Sequence, residues 1–190
     1  MKPDRPSRPN ERELDVPINR LNHAVLYVNN VAESATFYCD VLGFTPVAEY
    51  AGIPGAAFLR AAGSSNDHDL GLFEVGADAG PSRAGRGTVG LYHLAWEVDT
   101  LDDLESFAGT LRSAGALVGA SDHGTTKSLY GRDPNGLEFE IAWVVPAALL
   151  DANASAGARI RPLDLAREIT RYGRDTLGGV GISRPAPTSA

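Results

Sequence analysis

The chain writes one pattern twice. Residues 21–28, LNHAVLYV, read as a strand rich in β-branched and aromatic side chains, and so do residues 91–98, LYHLAWEV. In the first copy Asn30, with Glu33 three positions on, predicts a capped helix carrying Val31, Phe37, Tyr38, Val41 and Leu42 and stopping at Gly43. In the second, Thr100 caps a helix carrying Leu101, Leu104, Ala108 and Leu111, and Gly115 sits at its end. Three strand candidates follow each helix: Phe44–Tyr50, Ala56–Ala61 and His68–Val75, then Ala116–Ala120, Lys127–Gly131 and Leu137–Val144. A shift of 70 superposes Leu21 on Leu91, His23 on His93, Val28 on Val98 and Phe37 on Phe107, and a shift of 72 superposes Gly43 on Gly115. One small insertion accounts for that drift, and the shared element order marks an internal repeat.

The repeat divides the 190 residues. Residues 1–17 are polar, proline-punctuated and expected to be flexible. A βαβββ module occupies 18–76, a glycine-rich linker 77–90 and a second βαβββ module 91–145. Residues 146–190 match neither module. Ala147–Ala152 and Leu163–Tyr172 are helix candidates there, an appended arm covering a sheet edge or a partner subunit.

Composition excludes several functions. Hydrophobic residues at 43% and charged residues at 22% describe a globular chain. A net charge of -7 opposes phosphate backbones and excludes nucleic acid as a general partner. The single cysteine, Cys39, excludes an intrachain disulfide and reads as a small core residue. No apolar run has the length of a membrane span, and the N-terminus has no apolar signal segment, so a cytoplasmic protein is expected.

The chain has four histidines, His23, His68, His93 and His123. A lone strand histidine is usually a satisfied core residue. Two at repeat-equivalent positions favour metal ligands instead, because pseudo-symmetric modules carry them toward one axis. A third donor stands in LYGRDPNGLEFEIAW, residues 129–143. After the turn at Asp133–Gly136, Leu137, Phe139 and Ile141 alternate with Glu138, Glu140 and Ala142, giving one apolar and one acidic face. The alternation leaves Glu138 and Glu140 both open as that donor.

Residues from about 20 to 145 resemble the vicinal-oxygen-chelate superfamily of glyoxalases, bleomycin-resistance proteins and type I extradiol dioxygenases. The segments that carry the resemblance are LNHAVLYVNNVAESATFYCDVLGF, YHLAWEV and SLYGRDPNGLEFEI. It implies an α+β fold in which two βαβββ modules form an open, cup-shaped mixed sheet. It selects Glu140, with His23 and His93, as the metal-binding trio. Two histidines and a carboxylate suit Fe(II), with Mn(II) possible, or Zn(II) or Ni(II) in an isomerase.

His68, in HDLGL, is similar to a family histidine that serves as an acid–base group beside oxygen. A shift of 72 would instead set it over Glu140 as a fourth ligand. His123 and Tyr130 resemble the residues that hold the substrate oxygens. The resemblance therefore implies an extradiol dioxygenase acting on a catechol-type aromatic diol with O2, in aromatic catabolism, and a homo-oligomer, expected as a homodimer. A glyoxalase- or epimerase-like isomerase and a metal-free binding protein are the alternatives. Phe58, Trp96 and Phe139 are the apolar candidates around a substrate, while Trp96 and Trp143 also suit wall or core positions.

Overall fold

A computed structural model describes residues 18, 20–85, 87–150 and 160–179. The N-terminal segment 1–17 and residues 151–152 of the first arm helix candidate lie outside them.

The first module runs β1 (Ala24–Val28), α1 (Val31–Leu42), β2 (Thr45–Pro46), β3 (Ala56–Arg60) and β4 (Leu70–Glu74). The second runs β5 (His93–Glu97), α2 (Leu101–Ser113), β6 (Leu117–Asp122), β7 (Thr126–Arg132) and β8 (Glu138–Val144). Each module folds into its own open mixed sheet, in the orders β1-β4-β3-β2 and β5-β8-β7-β6. In both, the first strand pairs in parallel with the last, Ala24 opposite Leu70 and Leu94 opposite Phe139. This is an α+β architecture of two βαβββ units.

The helix ends follow local chemistry. The Asn30 side chain accepts the Glu33 N–H at 2.9 Å, and Gly43 leaves α1 at a φ of 73° that residues with a Cβ seldom adopt. Thr100 and Asp103 close a complete capping box on α2. The segment Phe44–Tyr50, expected as a strand, is one only at Thr45–Pro46. Pro46 has no N–H to extend the ladder, and Ala48–Tyr50 turns into a short 3-10 helix.

One apolar core joins the modules. Leu26, Val28, Tyr38, Leu59 and Leu72 cluster with Leu101, Leu104, Leu129, Phe139 and Trp143. Cys39 packs against this cluster half-buried, and its thiol titrates above the usual range because burial and then Asp40 disfavour the thiolate.

The arm follows module two. A two-residue strand, β9 (Arg161–Pro162), pairs antiparallel with the outer edge of β6, and α3 (Leu165–Tyr172) packs on α2. The arm thus meets the free edge of β6 at Ser121 and Asp122. No helix among the described residues is long and apolar enough to cross a membrane.

Candidate active site

Strand alternation decides which side chains face away from the core. On β5, Leu94 and Trp96 pack inward, which turns His93, Ala95 and Glu97 to the other face. On β8, Phe139, Ile141 and Trp143 are buried, which leaves Glu138 and Glu140 on that same outer face. Register then sets neighbours. Ala95, Glu140 and Tyr130 stand side by side across β5, β8 and β7, and His93, Glu138 and Arg132 form the next row.

His93 Nε2 lies 3.0 Å from Glu140 Oε2, and its other ring nitrogen is buried with no hydrogen-bond partner. Glu138 turns to Arg132, with Nη2 at 3.4 Å from Oε2. Of the two glutamates left open by alternation, Glu140 is therefore the one beside His93. The Tyr130 ring stands 5.9 Å from the His93 ring, and its hydroxyl is hydrogen-bonded to His123 Nε2 at 2.8 Å. Burial and then the Glu140 carboxylate raise the Tyr130 pKa, so the phenol keeps its proton at neutral pH.

The other two histidines form a second group. The His23 and His68 rings lie 4.5 Å apart. His23 Nδ1 is 2.8 Å from Asn22 Oδ1, at the foot of β1. His68 precedes β4, touches the Phe58 ring at 5.0 Å, and has Nδ1 3.4 Å from Asp67 Oδ2. Tyr50 donates its hydroxyl to the same Asp67 oxygen. Asp67 is held below the usual carboxylate range by that Tyr50 bond first and by His68 second. The Asp67–Tyr50 pair was missed by sequence reasoning. Adjacency to His68 was the only signal for Asp67, and Tyr50 lay in a segment read as strand.

Among the described residues no three His, Cys, Asp or Glu side chains gather closely enough to hold a metal ion. His93 and Glu140 meet, whereas His23 stands beside His68. The physical reason is that β1 and β5 belong to different sheets: pairing of β5 with β8 sets His93 opposite Glu138 and one diagonal step from Glu140, whereas no ladder relates His23 to either. The pair nonetheless suits a divalent first-row ion in chemistry. Imidazole Nε2 and carboxylate Oε2 converge to within 3.0 Å, a nitrogen and oxygen donor set that such ions take.

Register also tests the fourth-ligand reading of His68. Ala95 opposes Glu140, and its repeat equivalent Val25 opposes Gly71. The position equivalent to Glu140 is therefore Gly71, which offers no donor, and His68 lies three residues ahead of it. The shift of 72 that set His68 over Glu140 is corrected to 69 within the strands.

Phe139 and Trp96, expected around a substrate, face the core, Trp96 edge-on to Phe44 at 5.1 Å; Phe58 alone of the three lies beside a site histidine. Trp143 is fully buried, as a core residue should be. A cavity of about 1010 Å³ runs along the open edge of β5. It reaches Leu94, Trp96 and Phe139 on one side and Glu138, Arg132 and the 81–85 segment on the other, beside the His93–Glu140 pair and not over it.

Paired βαβββ modules with a histidine and a glutamate meeting on parallel first and last strands define a class of fold and site. The chain belongs to the Glyoxalase/Bleomycin resistance protein/Dioxygenase superfamily, which matches residues 20–141. It is 37% identical over 123 residues to biphenyl-2,3-diol 1,2-dioxygenase 3 of Rhodococcus globerulus, covering 64% of this chain and 62% of that protein. It is 30% identical over 132 residues to a manganese-dependent 2,3-dihydroxybiphenyl 1,2-dioxygenase of Geobacillus genomosp. 3, covering 67% of this chain and 38% of the other. These matches span less than two thirds of either diol dioxygenase. A probable lactoylglutathione lyase of Synechocystis sp. is 27% identical over 125 residues, 64% of this chain and 92% of the lyase. The same fold occurs in a glyoxylase/bleomycin resistance protein/dioxygenase domain from Frankia sp. EAN1pec, with TM-score 0.57 and 20% identity over 69% of this chain and 96% of that one.

Proposed function

We propose that the protein is a metal-dependent extradiol dioxygenase that cleaves a catechol-type aromatic diol with O2. The observation that carries this reading is the polar chain His93–Glu140–Tyr130–His123, with Gly71 where a four-ligand isomerase would need a donor. The two related diol dioxygenases support it.

In this reading His93 and Glu140 hold the ion, Fe(II) or Mn(II), and His23 completes the set. The bound ion would supply a Lewis-acid and redox centre where diol and oxygen meet. Tyr130, kept protonated by burial and by Glu140, donates that proton in its hydrogen bond to His123 and accepts from a diol hydroxyl through its oxygen lone pair. His123, as the tautomer protonated at Nδ1, accepts the Tyr130 hydroxyl through Nε2 and fixes the direction in which that phenol points. His68 acts as general acid, its ring oriented by Asp67. Glu138, engaged with Arg132, borders the site without binding the ion.

The test is oxygen uptake by protein purified anaerobically and loaded with Fe(II), against a panel of catechols. Stoichiometric uptake with a yellow ring-opened product is expected. A second reading, a glyoxalase- or epimerase-like isomerase using Zn(II) or Ni(II), is favoured by the lyase relative. Turnover of a hemithioacetal without oxygen uptake would establish it and overturn the first.

A further inference from the structure

Lys127 is 1% exposed, on a strand whose neighbouring residues form the core. A buried ammonium costs desolvation free energy, and an ion pair is a poor way to recover it for stability alone. What it touches is informative. Its Nζ bonds Asp122 Oδ1, faces Glu168 Oε2 at 3.1 Å and lies 3.5 Å from the Gly124 carbonyl oxygen. Asp122 and Gly124 flank His123. Gly124 N–H donates to Asp122 Oδ1 at 2.8 Å, and His123 N–H to the Thr126 carbonyl at 3.0 Å. Lys127 thus grips the turn that presents His123, from beneath the sheet. Burial pushes the Asp122 carboxyl up, but the Lys127 and Gly124 hydrogen bonds outweigh it and hold the group below its ordinary value.

Glu168 is 4% exposed on α3 and comes to Lys127 from the arm. The arm has anchors enough without it. The Trp143 indole donates to the Thr176 carbonyl at 3.1 Å, Gly178 N–H to Asp99 and Gly179 N–H to Val144, and Arg174 pairs with Asp102 and Glu105. Attachment therefore does not explain a buried carboxylate aimed at the His123 turn.

We propose that the C-terminal arm is a positioning element of the site: Glu168, through the Lys127 ammonium, fixes the 122–126 turn and so holds His123 against the Tyr130 hydroxyl. Glu168 and Lys127 are positioning residues and touch no substrate. The consequence for turnover rests on the dioxygenase reading; the consequence for the turn does not.

The experiment uses the full chain with Glu168→Gln, the milder Glu168→Asp, and Arg174→Ala as a variant that loosens the arm elsewhere. Amide hydrogen exchange across 122–126 is read in each, with iron content and steady-state oxygen uptake. In Glu168→Gln the turn amides should exchange at least about tenfold faster, as local opening does. Its kcat should fall by about 10- to 100-fold, the worth of a small misplacement, with KM and iron held within about twofold. Glu168→Asp should recover part of both. Arg174→Ala should lower the unfolding midpoint and leave both unchanged. Glu168→Gln should cost nothing further on a His123→Ala background. Turn exchange equal to wild type in Glu168→Gln, or an additive loss with His123→Ala, overturns the proposal. If the wild type consumes no catechol, the dioxygenase reading fails, and the exchange data alone decide the positioning role.

Discussion

Gly131 lies between the site and the core, and replacing it by alanine gives a prediction whose size comes from the structure. It pairs across the ladder with Phe139, whose ring lies over it. A Cβ at Gly131 would overlap Phe139 Cζ and stand 2.6 Å from Cε2 and 3.0 Å from Cε1. Ordinary carbon contacts begin near 3.5 Å, so the ring must retreat by about 1 Å. It has little room to do so. Phe139 is 2% exposed and meets Phe37 edge-on at 6.1 Å. Overpacking of this kind costs about 1–3 kcal/mol, and a ring confined on both sides belongs at the upper end, about 3 kcal/mol. For a chain of this length that lowers the unfolding midpoint by about 6–12 °C. The assay is denaturant and thermal unfolding of Gly131→Ala, Phe139→Leu and the double variant. The smaller leucine should relieve the clash, giving a favourable coupling of at least about 1 kcal/mol. A loss under about 0.5 kcal/mol for Gly131→Ala alone would refute the reasoning.

Three further outcomes follow from the site and the core. Glu140→Gln should cut bound iron, measured by metal analysis, about 10- to 100-fold in affinity, while Glu138→Gln leaves it unchanged; equal effects would show that alternation does not choose the ligand. His68→Ala should retain iron and slow oxygen uptake by about 10²–10⁴-fold; loss of iron would make His68 a ligand. Burial, and then Asp133, raise the Tyr38 pKa far above its ordinary value, so its stabilising share is complete below about pH 10 and declines as pH rises beyond it. Denaturant midpoints measured toward pH 11 should fall less steeply in Tyr38→Phe than in the wild type.

The repeat was legible because alternation and helix period survive in each copy, and one shift aligns Leu21, His23 and Val28 with Leu91, His93 and Val98. Alternation placed both Glu138 and Glu140 on the face of His93 but could not choose between them; the choice of Glu140 came from the family resemblance, because the diagonal contact depends on side-chain direction and not on pattern. The place of His23 was not, because it depends on how two sheets abut. The alternative of His68 as a fourth ligand came from a shift taken at Gly43 and Gly115. Later loops differ in length, and only the ladder reveals that Gly71 stands at the position of Glu140. β9 was illegible for another reason: two residues, one of them Pro162, carry no periodicity. Lys127 read as an ordinary strand residue, since nothing local announces that Glu168 will reach it.

The turn at Asp133–Gly136 also ties the modules, since Asn135 Oδ1 accepts the Asn29 N–H at 2.8 Å and its amide reaches Ser34. The parallel closure of each module has a consequence in time. β1 has no sheet partner until β4 has been made, and β5 none until β8. During synthesis β1, which starts just after His23, and β5, which starts at His93, therefore wait longest within their modules, with open backbone edges and exposed side chains such as Val25 and Tyr27. Non-local pairings of this kind fold slowly. The period of greatest exposure to misassembly is thus the interval before each module's last strand emerges, and residues 133–140 end it for the second module and the junction together.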